Sequence, residues 1–221
     1  MSVRLGRRAM RAALVWFAAA ASFAPASAQA QNDLREFRVG MGLSDLPRTG
    51  YTDFACADQP DHQLAGWAAF AACPKDALGL HALSFRYDDA ANPLAHVSDK
   101  YQGTRVAGHP VLVALLMSDD GQLGGLRIVT DPHAPLYLHK KAFLFAGQVR
   151  SRYGSDGWQC TDIKPTSDQE PVGELFINRR CEKETAGRHL ILNQQLYRRT
   201  GQDLRHFTGG AELTILAAHH E

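Results

Sequence analysis

The chain has 221 residues, 24 basic and 23 acidic, and 45% of them are hydrophobic. That composition is globular; it excludes a disordered or collagen-like chain. A net charge near zero gives no general electrostatic reason to seek nucleic acid.

The first thirty residues read as a removable export leader rather than fold. Arg4, Arg7, Arg8 and Arg11 form a basic start, and Ala12 to Ala21 (AALVWFAAAA) an apolar stretch too short to span a bilayer comfortably. Ala26-Ser27-Ala28 and Ala28-Gln29-Ala30 both suit cleavage. Removing four arginines and no acid takes the formal charge from +1 to −3. No later apolar run approaches membrane-spanning length, so the expectation is a periplasmic or secreted protein without a membrane span.

Cys56, Cys73, Cys160 and Cys181 all lie beyond the leader. An even number in an exported chain predicts disulfides, and C-x-x-C zinc spacing is absent. Of three connectivities, nearness in sequence favours Cys56–Cys73 and Cys160–Cys181.

In chain order, residues 29–36 are polar and read as a loose start. Residues 39–47 suit a short helical turn stopped by Pro47. Residues 51–56 alternate as a strand, and an Ala-rich helix over 64–72 is ended by Pro74. Residues 80–88 alternate with His81, Leu83, Phe85 and Tyr87 on one face, so His81 reads as a satisfied core-edge histidine. A long polar loop covers 89–106. The strongest local signal is the hairpin at 111–130, VLVALLMSDDGQLGGLRIVT, apolar on both faces in its first arm and turned by Ser118-Asp119-Asp120-Gly121-Gln122. Arg127 and Thr130 read as its wet positions.

Pro132 and Pro135 break the strand, and a helix is predicted over 136–153. Leu138, Ala142, Phe145 and Val149 make its apolar stripe, and Gly154 its stop. A short strand at 158–160, a polar loop at 162–171 and strands at 174–182, 188–199 and 212–216 complete the chain.

The predicted class is α+β: antiparallel sheet with packed helices and two disulfides. It divides into a leader (1–30), a half from 31 to 131 and a half from 132 to 221, or forms one continuous domain. In element order this layout is similar to tandem helix-plus-sheet modules of the β-lactamase inhibitor protein kind, a likeness that no motif carries.

G-x-S-x-G, H-E-x-x-H and a Gly-rich phosphate loop opening a helix are all missing. Ten histidines are many for this length. His109, His133 and His139 lie near the hairpin ends and helix start and form a candidate metal set. Asp119-Asp120-Gly121 lacks the spacing of a calcium loop. Arg179, Arg180, Arg198 and Arg199, with Tyr197, form a candidate interface on two strands expected to pair. The functional expectation is an exported, non-catalytic periplasmic binding or accessory protein acting through contacts with another periplasmic or envelope protein. It carries no cofactor. The alternatives are a periplasmic metal-binding protein and an enzyme without a recognisable signature.

Overall fold

The β-branched and aromatic residues that dominate the apolar runs favour extended chain, and antiparallel sheet accounts for most of the structure. The computed structural model describes residues 32–88, 103–185, 187–203 and 205–218. The expected leader at 1–30 and most of the expected loop at 89–106 lie outside them.

Eleven strands are described: β1 (Tyr51–Cys56), β2 (Gln59–Gln63), β3 (His81–Tyr87), β4 (Thr104–Val106), β5 (His109–Met117), β6 (Leu123–Thr130), β7 (Gln159–Asp162), β8 (Gln169–Glu170), β9 (Ile177–Thr185), β10 (Arg188–Arg199) and β11 (Thr208–Ala217). Their order is β2-β1-β3-β5-β6-β11-β10-β9-β7, with β4 on β5 and β8 on β10. Every pairing is antiparallel. The hairpin lies in the middle as expected, with β5 between β3 and β6. Gly121, at φ 77°, lets the turn close.

The α+β expectation, with packed helices in tandem modules, is therefore corrected: the protein is mostly antiparallel β. The helix expected at 64–72 is a six-residue 3-10 segment, Trp67–Ala72. The helix expected at 136–153 is broken into α1 (Leu136–His139), a 3-10 turn at Ala142–Leu144 and α2 (Phe145–Tyr153). Lys141, at φ −105° and ψ 0°, leaves helical geometry. The apolar stripe explains the break. Ala142, Phe145 and Val149 are buried, but Leu136 and Tyr137 are exposed, so the first turns gain little by continuing the same cylinder. The strands of both halves join one sheet, because β6 pairs with β11 through Leu126 opposite Ile215 and Ile128 opposite Leu213.

One face of the sheet carries the core: Leu83, Phe85, Val113, Leu115, Leu126, Ile128, Leu213 and Ile215 are all at most 5% exposed. Over it lie α2 and an aromatic group in which Phe37, Tyr51, Trp67 and Phe85 meet at centroid distances of 5.0–5.9 Å. The loose start expected before residue 36 is tied down instead. Leu34 and Phe37 are buried, and Asp33 receives Arg188 at 2.8 Å. On the opposite face Arg127 is held by Asp58 and by Asp76, whose side chain is 6% exposed. Thr130 is not wet: it is 5% exposed, and its Oγ1 accepts the Ala211 N–H at 3.0 Å.

The disulfides are Cys56–Cys73 and Cys160–Cys181. The second joins directly opposed residues of β7 and β9. Among the described residues no helix is long and apolar enough to cross a membrane.

Candidate functional site

A cavity of about 440 Å³ opens between the sheet and α2. That size falls within the range of about 300–1,000 Å³ usual for small-molecule sites. Five separated stretches of chain build it. Ile128 on β6 and Leu213 on β11 form its floor. Phe145 and Val149 on α2 form one wall, where the 3.6-residue period repeats them on one face. The rim comes from Arg35 in the N-terminal segment, Arg105 on β4 and Arg152 on α2.

Two rim positions are conformationally unusual. Among the described residues, three non-glycines have left-handed φ, and two of them, Arg35 (φ 50°) and Ala107 (φ 49°), line this cavity. With Gly108 at φ 83°, Ala107 forms the two-residue turn that brings Val106 opposite His109. Left-handed non-glycine residues persist only where the surroundings enforce them, and they gather at functional sites.

The charges at the rim are unevenly matched. Asp33 is the single acidic residue in the lining. Its Oδ1 takes the Arg188 Nε–H at 2.8 Å, and its Oδ2 accepts the Val39 N–H at 2.7 Å. Arg152 donates to the backbone carbonyls of Asn32 and Asp33 at 3.0 and 3.4 Å. Arg35 donates to the Arg105 carbonyl at 3.0 Å, and its guanidinium sits 4.3 Å from the Tyr87 ring centroid. Burial pushes the Tyr87 and Tyr153 phenols above their usual value, so both stay neutral beside these cations.

The candidate metal histidines go to separate partners. His109, at the start of β5, meets the Phe145 ring edge-on at 5.7 Å, and burial holds it below its usual value. His133 is exposed and lies 3.3 Å from Asp131. His139 stacks on Phe207 at 5.1 Å, with its Nε2 2.9 Å from the Gly209 carbonyl. Among the described residues no group of three or more His, Cys, Asp or Glu is gathered for a metal.

The candidate interface arginines take partners within the chain. β9 and β10 do pair, but Arg179 and Arg180 lie opposite Gln194 and Asn193, well along the strand from Arg198 and Arg199. Each arginine has its own carboxylate: Arg179 with Asp162 at 2.6 Å, Arg180 with Glu182 at 2.8 Å, Arg198 with Glu170 at 2.7 Å and Arg199 with Asp168 at 3.0 Å. The polar stretch expected as a loop supplies three of those acids, and register sets Asp162 opposite Arg179 and Glu170 opposite Arg198. Tyr197 is buried at 7% and stacks on Phe176 at 5.9 Å, so it offers no exposed contact.

His81 reads as expected. Its Nδ1 lies 2.6 Å from the Cys73 carbonyl and its Nε2 3.0 Å from Asp119. Both ring nitrogens are therefore engaged within the chain.

Sequence reasoning missed Arg35, Arg105 and Arg152. Arg35 and Arg105 stand in polar stretches and Arg152 near the end of the predicted helix, with no spacing to link them. The one local cue was Ala107-Gly108, a turn pair ahead of the β5 run.

No family model, no curated protein and no solved structure matches this chain.

Proposed function

We propose that the protein is an exported, non-catalytic binding protein of the periplasm, and that the cavity between the sheet and α2 is its binding site. The observation that carries this reading is the cavity itself: a buried apolar floor beneath a rim of arginines that have no carboxylate partner among the described residues. Wide antiparallel sheet stapled by two disulfides is a stiff support for such a site. Those disulfides and the basic-then-apolar N-terminus support export. An accessory role through protein contacts loses the residues that suggested it, since the arginines of β9 and β10 are neutralised within the chain.

The test is ligand capture from the protein's own compartment. The full chain, expressed with export and purified without denaturant, is compared by native mass spectrometry and hydrogen exchange before and after extraction with organic solvent. The expected result is a small bound mass whose removal raises exchange at residues 105–109 and 145–153. Exchange that is unchanged there, or changed only elsewhere, overturns the assignment.

A further inference from the structure

From the match between the cavity's floor and its rim, we infer that the ligand is an anionic amphiphile: one carboxylate or phosphate head with an apolar body, the head at Arg105 and the body along Phe145 and Val149. This inference rests on the binding-protein reading above.

The charge pattern selects the head. Among the described residues seven arginines stand beside acids: Arg86 on Asp53, Arg127 on Asp58 and Asp76, Arg188 on Asp33, and the four on β9 and β10, whereas Arg38, Arg48, Arg150 and Arg205 stand apart from one another without one. What sets the cavity apart is that three arginines without an ion pair line one opening. Among the described residues Arg35 and Arg152 donate to neutral groups, backbone carbonyls and, for Arg152, the Tyr153 hydroxyl, and Arg105 has no side-chain bond or ion pair. Of the nearby carboxylates, Asp33 is already balanced by Arg188, and Glu36 is engaged with the Tyr87 hydroxyl. Three like charges around one opening repel one another, and an anion placed among them relieves all three. A guanidinium is also the side chain best shaped for a carboxylate or phosphate, which it can grip through two parallel bonds.

The floor selects the body. Ile128, Leu213, Phe145 and Val149 offer no donor or acceptor to a second polar end. A small, fully hydrated anion would lose water against that floor without replacement bonds. An alkyl or aromatic body gains there by leaving water. The tight turn at Ala107 and Gly108 folds β4 back on β5 and so sets Arg105, paired with Pro110, beside the cavity.

The test is displacement of dansyl-undecanoate, read by fluorescence, from the solvent-extracted full chain. The competitors are dodecanoate, dodecyl phosphate, dodecanol and acetate, each below its micelle concentration. Dodecanoate or dodecyl phosphate should displace the probe at least about tenfold better than dodecanol, and acetate should not compete. The stronger of the two anions names the head group. Added salt should narrow the gap over dodecanol.

Arg105→Gln should cost the anions about tenfold and leave dodecanol unchanged. Gln148→Glu, which adds a negative charge on the exposed side of α2 at the rim and so repels an anionic head, should do the same without touching the core. Dodecanol competing as well as dodecanoate, or anion affinity indifferent to both substitutions, overturns the anionic class and leaves the binding reading standing. Failure of every amphiphile, while solvent extraction still changes exchange at residues 105–109, overturns the amphiphile and again spares the binding reading. Failure of both experiments overturns both.

Discussion

Gly125 offers the sharpest test of how the sheet is assembled. It lies where β6 crosses onto β11, opposite Leu216. A methyl group built there would lie 2.8 Å from the Ile215 carbonyl oxygen, 2.6 Å from Leu216 Cδ2 and 3.2 Å from Leu116 Cδ1. The leucine tips can rotate; the carbonyl is part of the ladder and moves only if the strands part. The backbone at Gly125 is not left-handed, so alanine carries no dihedral penalty and the clash alone decides the outcome. Overpacking of this kind costs about 1–3 kcal/mol. The smaller entropy of the unfolded alanine chain returns about 0.4–1 kcal/mol. Gly125→Ala should therefore destabilise by about 1–2 kcal/mol, which at about 2–4 °C per kcal/mol lowers Tm by roughly 2–8 °C. Gly124→Ala is the matched control. Its nearest neighbours are the two methyl tips of Leu80, at 3.1 and 3.3 Å, and they can turn aside. Urea titration of both variants, with the slope checked against wild type, is the assay. Gly125→Ala as stable as wild type, or Gly124→Ala equally damaging, would refute the close approach of β6 and β11.

Arg127→Met should cost about 3 kcal/mol, because it leaves Asp76 buried without its cation; adding Asp76→Asn should recover part of that loss in a double-mutant cycle. Replacing either cysteine pair should lower stability by about 3 kcal/mol in the chain-entropy picture, and an unreduced digest should yield peptides linked 56–73 and 160–181. Burial lowers the folded-state pKa of His109 below 6.5, so the unfolded chain binds its proton more readily. Stability from this source is complete above about pH 6.5 and declines as pH falls through that value; His109→Gln should flatten this limb of a stability–pH curve. Asp119 is held below the usual 3.8, first by the Lys75 hydrogen bond and then by the one from His81. Its contribution is present above that value and is lost as pH falls below it, so Asp119→Asn should flatten the acid limb.

Strands were legible where one face is buried and the other is not. Residues 80–88 alternate because β3 has a core face, and the double-faced run at 111–117 marked β5 as central. β2 was invisible because all five of its residues are exposed and Pro60 lies among them. β8 is two residues long and paired only through β10, so no period can form. The helix at 136–153 was overread: the stripe from Ala142 onward is real, but its extension to Leu138 assumed that a repeating pattern implies an unbroken cylinder. The site was hidden for a different reason. Arg35, Arg105 and Arg152 become neighbours only because β4 folds back on β5 while α2 and the N-terminal segment cover the same sheet face. The carboxylates that disarm Arg179 and Arg198 were equally hidden, since register alone sets Asp162 and Glu170 against them.

The bond between Cys160 and Cys181 has a consequence for where the chain can be made. All four residues of β7 are exposed, and the strand closes one border of the sheet. With the thiols reduced, β7 is free to fray, and the nine residues of β9 become the border. Their unpaired amides and carbonyls would then offer a template to the next molecule. A chain that accumulates in a reducing compartment should stack into β-rich aggregates, whereas one that is oxidised as it emerges into an oxidising compartment should stay in solution.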